Sequence, residues 1–304
     1  MLKPEEYFEP LPAEERDTDF IAMESKSFAR DVWERFSGNR LALAGLICLT
    51  AVILIALIGP ALSPYPYDGM NAMNRNQGSS AAHWFGTDQM GRDIFTRVLY
   101  GTRVSLLIGF VSTAMNMVIG VLYGSIAGYV GGRTDMIMMR IVDVIYAVPA
   151  MIYMILLMLI FGSNIYSVML GICINGWTNM ARIVRAQVMS LKEQEFAVAA
   201  FVIGADSRRI LLRHLLLNSM GPIIVTVTLM IPQAIFTEAF LSFIGIGISA
   251  PMASLGTLAQ DARMLMNIYP MHMVWPVLVI CIVIFSLNFI GEGLETALNP
   301  RGKR

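Results

Sequence analysis

Gly86 and Gly91, within His83-Trp-Phe-Gly-Thr-Asp-Gln-Met-Gly-Arg-Asp93, stand at the spacing of a phosphate-binding loop. Such a loop reads G-x-x-x-x-G-K-[ST]; its lysine meets the outer phosphates and its hydroxyl meets magnesium. Here those two positions are Arg92 and Asp93. An arginine could neutralise phosphate, but an aspartate in place of the hydroxyl sets a negative charge against the anion. No apolar strand runs into Gly86, and the chain's one Gly-Lys pair is Gly302-Lys303, in the tail. The stretch is therefore not read as a nucleotide site. His83, His214 and His272 are scattered singly, and Cys48, Cys173 and Cys281 fall inside apolar runs. Neither a metal cluster, a disulfide framework nor a catalytic group is expected.

The elements around that loop set the class of protein. Hydrophobic residues make up 56% of the chain and charged residues 14%, against a charged fraction of about 25% in soluble domains. Six apolar runs are long enough to cross roughly 30 Å of hydrocarbon as helices. They lie near 41–62, 104–130, 138–161, 165–183, 222–248 and 273–294, the fourth interrupted by Asn175 and Asn179. The fold expected is all-α, a polytopic membrane protein with six transmembrane helices. Only Arg75, Arg92, Arg97, Arg103 and Arg263 of the 22 basic residues fall on one side of such a topology. The positive-inside rule then puts both termini in the cytoplasm and the Gly86–Asp93 loop outside. No cleavable signal peptide is read in the first forty residues, which carry charge throughout and are expected to form a solvated arm.

Within the spans, three features could carry function. Gly120, Gly124, Gly128 and Gly132 recur every fourth residue, a bare helix face that admits another helix backbone in lipid. Glu238 is the one acid well inside the hydrocarbon; such a carboxylate should face a cavity or a partner, as a pathway group or a structural hydrogen bond. With Ser242 and Asn175 it forms the set of candidate pathway or gate residues. A proton-coupled transporter using Glu238 is the rival reading. The 23 methionines are spread along the chain as packing residues.

The segment 194–218 is too apolar and regular for a flexible connector. It reads as two short helices: one through Ala197, Ala199 and Ala200 that stops at Gly204, and one capped by Asp206 or Ser207, with Arg208, Arg209 and Arg213 on a basic face. Glu195-Phe-Ala-Val-Ala-Ala-x-x-x-Gly204, then Ile210 and Arg213-His214, resembles the EAA loop of ATP-binding-cassette (ABC) importer permeases. Phe85-Gly-Thr-Asp-x-x-Gly-Arg-Asp93, Tyr100-Gly-Thr-Arg103 and Ser105-Leu106 resemble the C-type permease of dipeptide, oligopeptide and nickel systems. Gly128-Tyr-x-Gly-Gly-x-x-Asp135, Met139-Arg-x-x-Asp143, Leu241-Ser-Phe-x-Gly-x-Gly247, Leu255-Gly256 and Leu298-Asn-Pro-Arg301 follow in the same order. Two positions depart from the pattern: Val198 stands where the family has glutamate, and Leu217 where it has proline.

The resemblance implies a type I ABC importer permease in a prokaryotic plasma membrane, bedded in lipid. Its partners would be a homologous B-type permease, two ABC ATPase subunits and an extracytoplasmic substrate-binding protein, with no nucleic acid. ATP and magnesium would sit on the ATPases, with no cofactor on this chain and no enzyme activity of its own. The cargo would be oligopeptides or dipeptides, with nickel or another small solute as the alternative. Glu195, Ala199, Ala200, Gly204, Asp206, Arg208 and Arg209 would couple to the ATPases. The chain then divides into a cytoplasmic arm (1–40), a first span (41–62) and an extracytoplasmic loop with a short interfacial helix (63–103). A five-span permease core (104–296) holding the coupling loop (184–221) follows, then a cytoplasmic tail (297–304).

Overall fold

The computed structural model describes residues 27–299; of the expected arm and tail, 1–26 and 300–304 lie outside the described residues. Most of it is helical: α1 (Phe28–Gly38), α2 (Arg40–Leu62), α3 (Ile94–Val130), α4 (Gly132–Ala147), α5 (Ala150–Phe161), α6 (Ile165–Lys192), α7 (Glu195–Val202), α8 (Ser207–Arg209), α9 (Met220–Phe243), α10 (Leu255–Arg263) and α11 (Met271–Leu298). No strand occurs among the described residues; a single bridge pairs Thr87 with Asp93. Among the described residues four helices, α2, α3, α9 and α11, are long and apolar enough to cross a membrane, and the bent pair α4–α5 makes a fifth if the two are taken as one span. The fourth expected span is α6, 28 residues long and about 42 Å at 1.5 Å per residue, but it is not among the helices apolar enough over their length to cross. Its second half carries Arg182, Arg185 and Lys192.

Several boundaries differ from the sequence reading, each for a local reason. The part of the arm that is described is not a free solvated segment. Helix α1 packs on α11 and α2, with Phe36 buried against Gly293. The second span starts ten residues early, because Asp93 caps α3: its Oδ2 accepts from the Thr96 N–H at 2.8 Å. No separate interfacial helix therefore precedes that span, and Ile94, Val98 and Leu99 are buried as its first turns. The third span is two helices at 78° to each other. Pro149 lacks an N–H and drives Val148 into extended backbone (φ −86°, ψ 126°), which ends α4. Asn175 and Asn179 do not interrupt α6; asparagine costs only about half a kcal/mol of helix propensity, less than the packing of α6 returns.

The pairing of α3 with α6 is the most extensive in the molecule. Gly120, Gly124 and Gly128 make it possible. A Cβ on Gly120 would meet the Met180 side chain at 2.5 Å, one on Gly124 would overlap the Ala181 carbonyl, and one on Gly128 would sit 2.8 Å from the Arg185 carbonyl. The glycine face thus receives another helix of the same chain. Gly132 is not part of it: it lies beyond the turn at Gly131, has φ +57°, and a Cβ there would meet nothing within 4 Å. Two ion pairs tie α4 to the same partner, Asp135 with Arg185 and Asp143 with Arg182 at 2.9 Å. Asp143 therefore pairs across helices with Arg182, not with Arg140 on its own helix.

Candidate functional site

Three constellations stand out. The first is built around Glu238, which is 0% exposed. Ser105 Oγ donates to its Oε2 and Ser242 Oγ to its Oε1, each at 2.8 Å. Ser254 Oγ donates to Ser242 Oγ at 3.5 Å and accepts from the Thr257 N–H, capping α10. The Leu255 N–H donates to Ser105 Oγ at 3.2 Å. One carboxylate thereby joins α3, α9 and the N-terminus of α10. Gly256 lets that terminus sit on α9: a Cβ there would lie 2.5 Å from the Ala239 carbonyl oxygen. Glu238 and Ser242 are brought together as the sequence reading grouped them, but Asn175 is not among their partners. Its Oδ1 is buried and unpartnered, as are Ser112 Oγ, Thr113 Oγ1 and Asn116 Oδ1 of α3. The sequence reading passed over those three. Their signal is polar side chains at helical spacing, Ser112 to Asn116, inside an apolar run.

The second is the Gly86–Asp93 loop. Gly86 (φ +80°) and Gly91 (φ +74°) adopt left-handed backbone, and a Cβ on either would collide with the Gln77 or Asn71 carbonyl. The loop's backbone amides are turned inward on its own residues: Asp88 Oδ1 accepts from the Met90 and Arg92 N–H groups at 2.8 and 3.0 Å. Asp88 Oδ2 accepts from Arg92 Nε at 2.7 Å and from Arg97 Nη1. Burial by itself would raise the Asp88 pKa; the Arg92 backbone N–H and the charges of Arg97 and Arg92 outweigh it and hold the carboxyl below the ordinary aspartate value. Asp93 Oδ1 meets His83 Nδ1 at 2.9 Å, and the His83 ring packs on Tyr65 with centroids 4.5 Å apart. The spacing that suggests a phosphate loop instead builds a knot, held mainly by Asp88 and Asp93, that starts α3. Gly86→Val or Asp93→Ala should therefore lower the amount of folded protein in membranes. Loss of the cap alone costs about 1 kcal/mol, and the binding of ATP by any associated ATPase should not change. Wild-type levels and melting for both variants would refute this role.

The third is the segment from Glu195 to Leu216. Helix α7 ends at Val202, capped by Ile203, and Gly204 (φ +81°) turns the chain. Asp206 caps α8, accepting from the Arg208 N–H at 3.3 Å. Ser207 is the first residue of α8. The backbone runs on as a π-helix over Ile210–Leu216 and nearly meets α9 at Met220, with no proline at Leu217 to stop it. Ala197, Ala200, Ile210 and Leu215 are buried in a cluster with Met180, Val184, Val188 and Ile223. On the other side Phe201, Val202 and Ile203 are 72–83% exposed. Glu195, Ala199, Gly204, Asp206, Arg208 and Arg209 are exposed as well, whereas Ala200 is buried.

Residues 120–304 match the family described as "Binding-protein-dependent transport system inner membrane component". The chain belongs to that family. Residues 27–78 match a second description, "N-terminal TM domain of oligopeptide transport permease C". Among curated relatives of this transport-component chain, the oligopeptide transport system permease protein OppC of Bacillus subtilis is 45% identical over 298 residues, 98% of each chain. The dipeptide transport system permease protein DppC of the same organism is 42% identical, covering 99% of this chain and 94% of the relative. OppC of Escherichia coli is 38% identical over 95% and 96%. An inward-facing structure of the MetNI methionine ABC transporter superposes with a TM-score of 0.54 at 16% identity, over 67% of this chain and 96% of that one. The fold is that of an ABC importer permease.

Proposed function

We propose that this chain is the C-type permease subunit of an ATP-driven importer of oligopeptides or dipeptides. The observation that carries the reading is the Glu195–Leu216 element. It is a capped helix–turn–helix seated on α6 and α9, and among the described residues nothing covers Phe201, Val202 and Ile203, which face solvent. An exposed apolar cluster of this kind on a membrane protein is a protein-docking surface. The partner proposed is an ATPase subunit, two of which carry ATP and magnesium for the assembly. Peptide cargo is supported by relatives named as oligopeptide and dipeptide permeases that match along nearly the whole chain.

In this scheme the chain pairs with a homologous B-type permease in a prokaryotic plasma membrane, both termini cytoplasmic, and a binding protein delivers peptide from outside. Closure of the ATPases on ATP displaces α7 and α8. The packed cluster beneath them transmits that motion to α6 and α9, and so to the pathway. Val198, half-exposed on α7, offers the ATPase an apolar contact where the pattern has an acid.

Gentle purification from the native membrane should bring down a second permease and two ATPases, and the reconstituted assembly should take up radiolabelled peptide only with ATP. Uptake by this chain alone, driven by a proton gradient, would overturn the reading. Phe201→Ala combined with Ile203→Ala should reduce ATPase co-purification about tenfold, as for a pair of interface anchors, while the permease pair stays folded. Unchanged recovery of ATPase would exclude that face as the contact.

A further inference from the structure

Beside the loop knot, Arg92 and Arg97 form a partition between two cavities. One, of about 210 Å³, is lined also by Asp88, Arg263 and His272. The other, of about 270 Å³, is lined also by Ser163, Gly247 and Ser249, from the connections before α6 and after α9. Asp261 of α10 lines both. The two arginines are 94% and 97% buried, yet they are unequally satisfied. Asp88 Oδ2 takes Arg92 Nε and Arg97 Nη1 at close range. Asp261 Oδ2 stands 3.4 Å from both Arg92 Nη2 and Arg97 Nη2, and its side chain is 46% exposed. That is well beyond the 2.7–2.9 Å of an ordinary charge-assisted hydrogen bond. Arg97 Nε is buried and has no acceptor among the described residues. Two guanidiniums on the walls of both cavities thus share one loosely held, half-exposed carboxylate, Asp261.

We propose that the Arg92–Arg97 pair is a carboxylate-binding site for the free C-terminus of the transported peptide, and that Asp261 is its displaceable internal occupant. The inference rests on the peptide reading above. A carboxylate has the planar, two-oxygen shape that guanidiniums bind, and every unmodified peptide carries one at its end. Asp261 is the weaker of the two aspartates on the pair by distance and by exposure, so it is the one that gives way. Its helix, α10, is anchored at the other end to Glu238 through Ser254 and Ser105. Displacing Asp261 therefore loosens one end of α10 while the other stays docked. Arg92 and Arg97 are positioned by Asp88, which remains in place throughout.

The test uses the reconstituted full assembly and matched peptides, one a free acid and one a C-terminal amide, each presented on binding protein loaded to equal saturation. The wild type should favour the free acid. Arg97→Gln should lower free-acid uptake about tenfold, the effect of one charge-assisted hydrogen bond, and bring the acid-to-amide ratio near one. Asp261→Asn leaves both arginines in place and removes the competitor; it should raise the acid-to-amide ratio about threefold. A wild-type ratio of one overturns the site. So does an equal fall for both peptides in both variants, as scaffolding or binding-protein docking would give. Absence of any ATP-dependent peptide uptake by the wild type would instead strike the functional reading itself.

Discussion

Gly124→Val should leave almost no folded permease in the membrane, whereas Gly132→Ala should leave nearly all of it. The two glycines belong to the same four-residue series, but only Gly124 lies against another backbone. A Cβ there would enter the Ala181 carbonyl of α6, and valine adds two methyls beyond it. Overpacking against side chains costs about 1–3 kcal/mol because rotamers can give way. A carbonyl inside a continuous helix cannot, so α3 and α6 must separate along their most extensive contact. In lipid that separation is not resisted by any hydrophobic gain between helices, because close packing itself holds them together. Gly132 has open space around it and φ +57°, so alanine there meets only the left-handed backbone cost of about 1–2 kcal/mol. Detergent-extracted yield and melting temperature of the two variants, measured side by side, check the contrast. Equal yields would mean that the helix pair tolerates a wider gap than its geometry indicates.

That pair of glycines also shows where sequence reading succeeds and where it stops. The four-residue repeat marks a packing face, since the period of a helix is written into spacing. It does not say that the face ends at Gly131, because the end is set by two consecutive positive φ values, at Gly131 and Gly132. The helix–turn–helix at 195–216 is legible for a related reason: alanines, Gly204 and Asp206 each have one strong local preference, and the three agree. The cap at Asp93 belongs to the same class of signal. Gly86 and Gly91 also fit a phosphate loop, and the distinction lies in the carbonyls of Gln77 and Asn71, nine and twenty residues upstream of the glycines they face and unmarked in composition. The bend at Pro149 was hidden by hydrophobicity: an apolar run shows that a segment suits lipid but not that it is straight. Partners distant in sequence were least visible. Nothing in Ile235-Phe-Thr-Glu238 specifies Ser105 or Ser254, which only the fold brings within reach.

Glu238→Ala should cost about 3–5 kcal/mol, combining the void left by a large buried side chain with two serine hydroxyls deprived of their acceptor. Glu238→Gln should cost much less. Its amide oxygen can accept from one of Ser105 and Ser242, and the other hydroxyl can rotate to accept from the amide nitrogen. The two variants separate the two roles assigned to this carboxylate. If Glu238 holds α10 onto α3 and α9, then glutamine restores both melting temperature and uptake, and alanine loses both together. If it is instead a pathway group whose charge meets the cargo, glutamine restores melting but leaves uptake depressed at least tenfold. The geometry favours the first outcome. Both carboxylate oxygens are engaged by serines, the side chain is wholly enclosed, and it is absent from the lining of the two cavities beside α10. On this account the cluster fixes one end of α10, which leaves the Asp261 end as the part of that helix free to respond to a ligand. A double variant, Glu238→Gln with Asp261→Asn, should then show the uptake ratio of Asp261→Asn alone, because the anchored and the displaceable ends act independently.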